Sequence, residues 1–177
     1  MIKVFLASLN LLACTAIPAT AEWGAGAGLV GFGGLGARVH WHQPEGHWRL
    51  GLQYGRVPDY KFDDPFTGRP LTLEKEIFFG PFVNYQFKAG RAGSWYAGLS
   101  MLYWWRKEKA MFTGEWNTDS TVDPYLGVGY LRRFGRKGFY DLGIFIAPWA
   151  RQRTSTSVSS TENDGAADLR AHVGFVW

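Results

Sequence analysis

The last ten residues of the chain alternate between two kinds of side chain. From Asp168 to Trp177 the odd positions hold Leu, Ala, Val, Phe and Trp, whereas the even positions include Asp, Arg, His and Gly. Successive side chains of a β-strand point to opposite faces. This segment therefore predicts a strand that has one apolar face and ends in an aromatic residue.

The same period of two recurs upstream and predicts seven more strands. After residue 21 no stretch approaches 18 consecutive apolar residues, so the pattern predicts no membrane-spanning helix. Eight strands is an even number, as bacterial membrane barrels require. The seven upstream strands are predicted at Trp23–Leu29, Leu35–His42, Trp48–Gly55, Glu76–Phe87, Trp95–Arg106, Thr121–Leu131 and Phe139–Trp149.

The links between these strands alternate in length after the first one, which is a short Gly-rich connection. Outer-membrane barrels have short periplasmic turns and longer extracellular loops, and the alternation fits that arrangement when Trp177 lies at the periplasmic side. The predicted links are Val30–Gly34, Gln43–Gly46, Pro58–Glu74, Lys88–Gly93, Lys107–Ser120, Arg132–Gly138 and Arg151–Ala167.

A final strand that ends in a terminal aromatic resembles the assembly signal of bacterial outer-membrane barrels. The whole pattern resembles the small eight-stranded barrels of the OmpA/OmpX type. The resemblance implies an all-β fold, an eight-stranded antiparallel up-and-down transmembrane β-barrel with a blocked interior. It also implies that the barrel assembly machinery recognises the C-terminal strand and that Trp177 lies at the periplasmic rim.

A soluble barrel would have an apolar interior and a polar exterior, but here the second face of the strands carries charge. Placing this face in lipid would cost about 2–4 kcal/mol for each arginine at the midplane, so the apolar face is predicted to be the outer one. We expect the inward charges to form a salt-bridged plug, in which Asp168, Arg170 and His172 face Arg38. The predicted lumen charge network is Arg38, Arg49, Glu76, Asp123, Asp141, Arg170 and His172.

The first strand turns only Gly24, Gly26 and Gly28 inward, which leaves room beside it. We expect Tyr96 or Trp104 to fill that room, because protein interiors pack closely. A small pocket is the alternative.

Aromatic and basic side chains lie near the strand ends. Amphipathic aromatic rings prefer membrane interfaces, and arginine can bind a phosphate through two hydrogen bonds. The predicted interfacial anchors are Trp23, Trp41, Trp48, Trp95 and Trp177 at the periplasmic end and Tyr103 and Trp105 at the outer end. The predicted lipopolysaccharide contacts are Arg56, Lys75, Arg106, Lys107, Lys109, Arg151 and Arg153.

The first 21 residues resemble a secretory signal peptide: Lys3 precedes an apolar run, and Ala19-Thr20-Ala21 forms a cleavage site. We therefore expect cleavage after Ala21, a barrel domain over 22–177 and export to the outer membrane of a Gram-negative cell. Lipoprotein processing at Cys14 is the alternative. The net charge of +4 is small and scattered, which argues against nucleic-acid binding.

These features favour a monomeric, non-enzymatic barrel with a structural or surface-interaction role, its partners being membrane lipid and lipopolysaccharide. The alternatives are a lipid A-modifying enzyme, namely an acyltransferase or deacylase, and a narrow pore. No histidine–serine motif of the deacylase kind is evident. His40 and His42 could hold a metal with His47 or His172, but two histidines on one strand are a weak signal. We therefore predict no metal and no cofactor.

Overall fold

The computed structural model describes residues 21–31, 34–63, 66–67, 70–89, 91–148, 153–154, 161–162 and 167–177. The predicted signal peptide lies outside the described residues, except for Ala21. Among the described residues no helix is long and apolar enough to span a bilayer. Ten strands are described: β1 (Glu22–Val30), β2 (Gly34–His42), β3 (Trp48–Asp63), β4 (Pro70–Gln86), β5 (Gly93–Ala110), β6 (Trp116–Phe134), β7 (Gly138–Ile146), β8 (Arg153–Thr154), β9 (Thr161–Glu162) and β10 (Ala167–Val176).

Eight of these strands form a closed antiparallel barrel. Strands β1 to β7 pair in chain order, β10 pairs with β7, and β10 also pairs with β1 to close the cylinder. Because the barrel is closed, the backbone N–H and C=O groups of each spanning strand can bond to a neighbouring strand on both sides. The interior of a bilayer requires this, since it holds no water to bond to them. The predicted fold class is confirmed.

The side-chain alternation follows the predicted faces. In β7, Leu142 and Ile144 are 51% and 54% exposed on the outside, whereas the intervening Asp141 is fully buried in the lumen. The same alternation continues through β10, where Val173 and Phe175 face outward and His172 faces inward. Apolar side chains therefore cover the outer surface, as lipid contact requires.

Two predicted loops are largely strand. The links predicted at Pro58–Glu74 and Lys107–Ser120 are replaced by long extensions of β3, β4, β5 and β6, which have 16, 17, 18 and 19 residues. A tilted spanning strand needs about 9–11 residues. The surplus extends the sheet beyond the barrel rim by roughly 20 Å along the strands at ~3.4 Å per residue. We call this extension, residues 57–63, 70–76, 106–110 and 116–125, the wall.

The pairing register shows where the wall begins. The pairing of β2 with β3 ends at Leu35 and Arg56, and that of β7 with β6 ends at Ile146 and Leu126. Among the described residues, β3 and β6 pair only with β4 and β5 beyond these points, so the wall is a four-stranded sheet with β3 and β6 as its outer strands. The side chains of the wall alternate less clearly because both of its faces leave the membrane.

The remaining connections are short or only partly described. Gly31 and Gly135 adopt positive φ values of 62° and 59° in the turns after β1 and β6, a conformation that costs glycine little. β7 ends at Ile146 rather than at the predicted Trp149, which lies outside the described residues. Within the predicted link Arg151–Ala167, β8 and β9 form a two-stranded sheet.

Candidate functional site: a filled lumen and a basic outer wall

Asp141 of β7 is the centre of the lumen charge network. Its Oδ2 atom accepts a hydrogen bond from Arg49 Nη2 and lies 2.6 Å from Arg38 Nη2 in an ion pair, while Oδ1 accepts a hydrogen bond from the Tyr96 hydroxyl at 2.6 Å. Arg49 and Asp141 are fully buried. Such a pair is tolerated in the interior only when further contacts satisfy the remaining charge, and this carboxylate has two hydrogen-bond donors and a second cation beside it.

Aromatic rings cover the faces of these guanidinium groups. Arg38 lies 5.5 Å from the ring centroid of Phe139, and Arg49 lies 5.1 Å from that of Tyr96. Phe82 is 5.8 Å from both cations. A cation over an aromatic face is attracted by the ring quadrupole, so the aromatic side chains of the lumen help to stabilise its arginines.

Arg170 of β10 forms the next set of contacts toward the wall. Its Nε donates to Asp168 at 2.5 Å, and its Nη1 donates to Gln53 at 3.2 Å and to Ser100 at 3.0 Å. The guanidinium also lies 3.9 Å from the ring centroid of Phe145. Arg170 thus ties four strands together across the lumen.

At the wall end of the lumen, Arg106 contacts two carboxylates. It bonds to Glu74, and its Nε lies 3.3 Å from Glu76. Arg106 was predicted to contact lipopolysaccharide, and that assignment is wrong: its side chain is only 10% exposed and lies on the inner face. Asp123, also inward, accepts a hydrogen bond from Thr121 at 3.1 Å.

The structure places all seven predicted network residues on the inner face but assigns the partners differently. Arg38 pairs with Asp141, whereas Asp168 pairs with Arg170 and also accepts from the Gly31 N–H at 2.7 Å. The predicted set lacked Glu74, which fell in a predicted loop. It also lacked the neutral partners Gln53, Tyr96 and Ser100, although all three stand at inward positions of the alternation.

The room beside the glycines of β1 is occupied, but not by the predicted side chains. A Cβ atom on Gly24 would lie 2.5 Å from the His40 ring, and one on Gly26 would lie 3.0 Å from Phe139. Tyr96 instead packs against Gly129 of β6. His40 and Phe139 therefore fill the space in which a small pocket was the alternative.

The predicted aromatic anchors lie near the two ends of the barrel. At the end with the short turns, Trp23 is the cross-strand partner of Trp41, and the rings of Trp95 and Tyr130 lie 5.3 Å apart. Three predicted anchors at this end are well exposed, Trp48 at 55% and Trp95 and Trp177 each at 62%. At the wall end the rings of Tyr103 and Phe79 are 5.0 Å apart, and Trp105 is half-buried.

Basic side chains lie on the outer surface where the wall leaves the apolar band. Lys75 directly opposes Lys107 across β4 and β5, and Lys107 lies 4.7 Å from the ring centroid of Trp105. Lys75 and Lys109 lie 5.7 Å and 5.8 Å from the ring centroid of Trp116. We call Lys75, Lys107, Lys109, Trp105 and Trp116 the lysine–tryptophan patch.

Arg56 lies beside this patch and forms an ion pair with Asp59. It donates to Asp59 at 2.8 Å, and Lys75 lies 3.6 Å from the same carboxylate. The hydrogen bond from Arg56 lowers the pKa of Asp59 below its usual value. Arg151 and the side chain of Arg153, the last two predicted lipopolysaccharide contacts, lie outside the described residues.

The histidines do not assemble a reactive centre among the described residues. No group of three potential metal ligands is present there, although the rings of His40 and His42 are 5.7 Å apart. His172 is buried, and neither of its ring nitrogens has a hydrogen-bond partner in the described part of the chain. Among the described residues it therefore has no serine partner of the kind that a hydrolytic dyad needs.

A closed eight-stranded antiparallel barrel with an apolar outer band and a filled, charged lumen defines a small outer-membrane β-barrel protein. In sequence, the chain matches no family model, and no match was found among the curated proteins. Solved structures show the likeness instead, and at 11–16% sequence identity they establish the fold.

Three of these structures cover nearly the whole chain. The N-terminal β-barrel domain of Pseudomonas aeruginosa OprF is 13% identical with a TM-score of 0.59, covering 89% of this chain and 96% of that one. A major outer membrane protein from Thermus thermophilus is 16% identical with a TM-score of 0.56, covering 89% and 98%. Ail, the attachment invasion locus protein of Yersinia pestis, solved in complex with the heparin analogue sucrose octasulfate, is 12% identical with a TM-score of 0.51, covering 89% and 96%.

Proposed function

We propose that this chain is a monomeric outer-membrane barrel with a surface-interaction role, and that its lysine–tryptophan patch binds phosphate groups of lipopolysaccharide. The observation that carries the proposal is the position of the patch along the barrel axis, relative to the apolar band. On β4, Lys75 is the next outward-facing residue beyond Ile77 in the direction of the wall. Ile77 is paired with Trp105 of β5. The cations therefore follow directly on the apolar band, at the level where lipid headgroups begin.

The arrangement of the lysines favours an anionic ligand. Like charges that stand directly opposite each other on neighbouring strands are destabilising, and Lys75 opposes Lys107 in this way. Lys109 is the next outward-facing residue after Lys107 on β5. The indole faces of Trp105 and Trp116 offset part of this repulsion, and a phosphate between the ammonium groups would offset more of it.

Two further considerations support this role. Side chains bonded across the lumen, such as Arg49 to Asp141 and Arg170 to Gln53, favour function at the surface over transport. Ail, a barrel of the same fold, was solved with a sulfated ligand. Sulfate and phosphate share the same chemistry of recognition by cations, and the position beside the lipid band favours the phosphate of a lipid.

The test measures stabilisation of the refolded barrel by lipopolysaccharide in neutral phospholipid vesicles. We expect lipopolysaccharide to raise the temperature at which the wild type unfolds, because a ligand that binds only the folded state stabilises it. The triple variant Lys75→Gln, Lys107→Gln and Lys109→Gln should lose this shift. A matched control is Lys137→Gln, an exposed lysine in the turn after β6 at the opposite end.

Dephosphorylated lipopolysaccharide separates phosphate recognition from general lipid effects. It should give no shift with any variant. An equal shift for the wild type and the triple variant would reject the patch as the binding site.

A further inference from the structure

The end of the barrel with the short turns is strongly basic on one side. Residues 77–107 and 124–140 contain no aspartate or glutamate. The turns after β4 and β6, with the adjoining end of β6, carry five exposed cations: Lys88, Arg91, Arg132, Arg136 and Lys137. These two turns therefore present only positive charge.

Backbone contacts place the two turns side by side. The Arg133 N–H donates to the Ala92 carbonyl at 2.6 Å, and Arg132 is the cross-strand partner of Gly93. Among the described residues, Arg133 is the one cation of this region that forms an ion pair, with Glu22 at 3.0 Å. The charges of the other cations thus add to one another on neighbouring turns.

We call Arg91, Arg132 and Arg136 the arginine patch, which Lys88 and Lys137 flank. The other side of the same rim differs in charge, because the turn between β2 and β3 contains Glu45. Charges that only keep a protein soluble are effective when both signs are interspersed over the surface. The concentration of one sign on two adjacent turns favours a partner of opposite charge.

The position of the patch beside the apolar band indicates what that partner is. Arg132 follows Tyr130 on the outward face of β6 and is paired with Tyr140 of β7. The rings of Trp95 and Tyr130 lie 5.3 Å apart, and those of Phe134 and Tyr140 lie 6.5 Å apart. Aromatic side chains of this kind mark a membrane interface, so Arg132 lies at the level of the lipid headgroups.

We propose that the arginine patch binds the headgroups of anionic phospholipids of the phosphatidylglycerol class, in the leaflet that surrounds the short turns. A lipid surface requires cations at one level rather than around one point, and a guanidinium group can bind a phosphate through two hydrogen bonds. An anionic polymer outside the membrane, such as peptidoglycan, would contact the tips of the turns, whereas Arg132 is on the lipid-facing side.

The test compares phosphatidylglycerol with phosphatidylcholine that has the same acyl chains but no net charge. Each lipid is titrated into the barrel in a neutral detergent, and the bound lipid is counted by native mass spectrometry. All measurements use the background Lys75→Gln, Lys107→Gln and Lys109→Gln, which removes the lysine–tryptophan patch at the opposite end. The result therefore does not depend on the proposal for lipopolysaccharide.

The background protein should bind phosphatidylglycerol more tightly than phosphatidylcholine, by about fivefold for each cation that contacts the headgroup. Adding Arg91→Gln, Arg132→Gln and Arg136→Gln should abolish this preference. The matched control is Arg91→Lys, Arg132→Lys and Arg136→Lys, which keeps the charge and should keep most of the preference. Migration of the unboiled protein on a gel verifies that each variant is folded.

Three results would overturn the proposal. The first is an equal affinity of the background protein for the two lipids. The second is a preference that survives the three glutamine substitutions, because the anionic lipid would then bind elsewhere. The third is retention of the background protein on purified peptidoglycan without any preference between the lipids, which would identify the cell wall as the partner.

Discussion

Trp23 and Trp177 exchange a pair of backbone hydrogen bonds at the junction where the barrel closes. The Trp23 N–H donates to the Trp177 carbonyl at 3.1 Å, and the Trp177 N–H donates to the Trp23 carbonyl at 2.8 Å. The C-terminal residue is thus the last rung of the β1–β10 ladder. These bonds involve only the backbone, so the exposed indole of Trp177 is available for another role.

Replacing Trp177 with serine should reduce assembly in cells more than it reduces the stability of the refolded barrel. The closing hydrogen bonds survive the change, whereas the aromatic group proposed to be read by the assembly machinery is lost. The measurements are the folded fraction in outer-membrane preparations and urea unfolding in vitro. Trp95→Ser is the matched control, because both side chains are 62% exposed at the same end of the barrel. Equal assembly of the two variants would contradict the role of the terminal aromatic as a signal.

The purified protein should migrate differently on a gel before and after boiling. A closed barrel has no free edges within its spanning part, so detergent at room temperature should leave it folded. Its circular dichroism spectrum should be dominated by β-structure. A helical spectrum, or recovery of the protein in the soluble periplasmic fraction, would refute the membrane barrel.

The wild type should show no steady conductance in planar bilayers, because Arg38, Arg49 and Arg170 are bonded across the lumen. Arg170→Ala should leave Asp168 buried without its cation. Breaking a buried pair by removing one partner typically costs about 3–5 kcal/mol, so unfolding in urea should shift accordingly or the variant should conduct. Stable, ion-selective currents from the purified wild type would mean that the lumen is open.

Lipid A from cells with and without the protein should give the same mass spectrum. His172 is buried and has no partner in the described part of the chain, so it is poorly placed to activate a nucleophile at the lipid surface. A gain or loss of an acyl chain that disappears in His172→Gln would reverse this expectation and identify an enzyme. The comparison requires equal expression of the two forms, checked on the unboiled gel.

The faces of the spanning strands could be predicted from the sequence because each faces lipid on one side and the lumen on the other. Asp141 and Leu142 illustrate this, since adjacent residues in the chain differ completely in burial. The wall could not be predicted in the same way. Beyond the bilayer both faces tolerate polar side chains, so cross-strand pairing continues while the alternation that reveals it fades.

The contacts between side chains in the lumen could not be predicted from the alternation either. Alternation indicates that Arg38 and Asp141 point inward, but their contact depends on the stagger between strands that are remote in the chain. Arg106 shows the same limit at the wall end. Its place in the alternation of β5 indicated that it faces the lumen, whereas its position beside Lys107 suggested a surface charge. Only the pairing register, which places Arg106 opposite Glu76, decides between these two predictions.

The glycine-lined inner face of β1 has a consequence for the order in which the barrel matures. Between Glu22 and Val30 the inward positions of β1 are Gly24, Gly26 and Gly28, so this part of the strand adds no side chain to the charge network of the lumen. The ionic contacts among β2, β3, β7 and β10 can form while the cylinder is still an open sheet. The final pairing of β1 with β10 then joins two backbones, and between Gly24 and Gly28 it brings no charged side chain of β1 into the lumen.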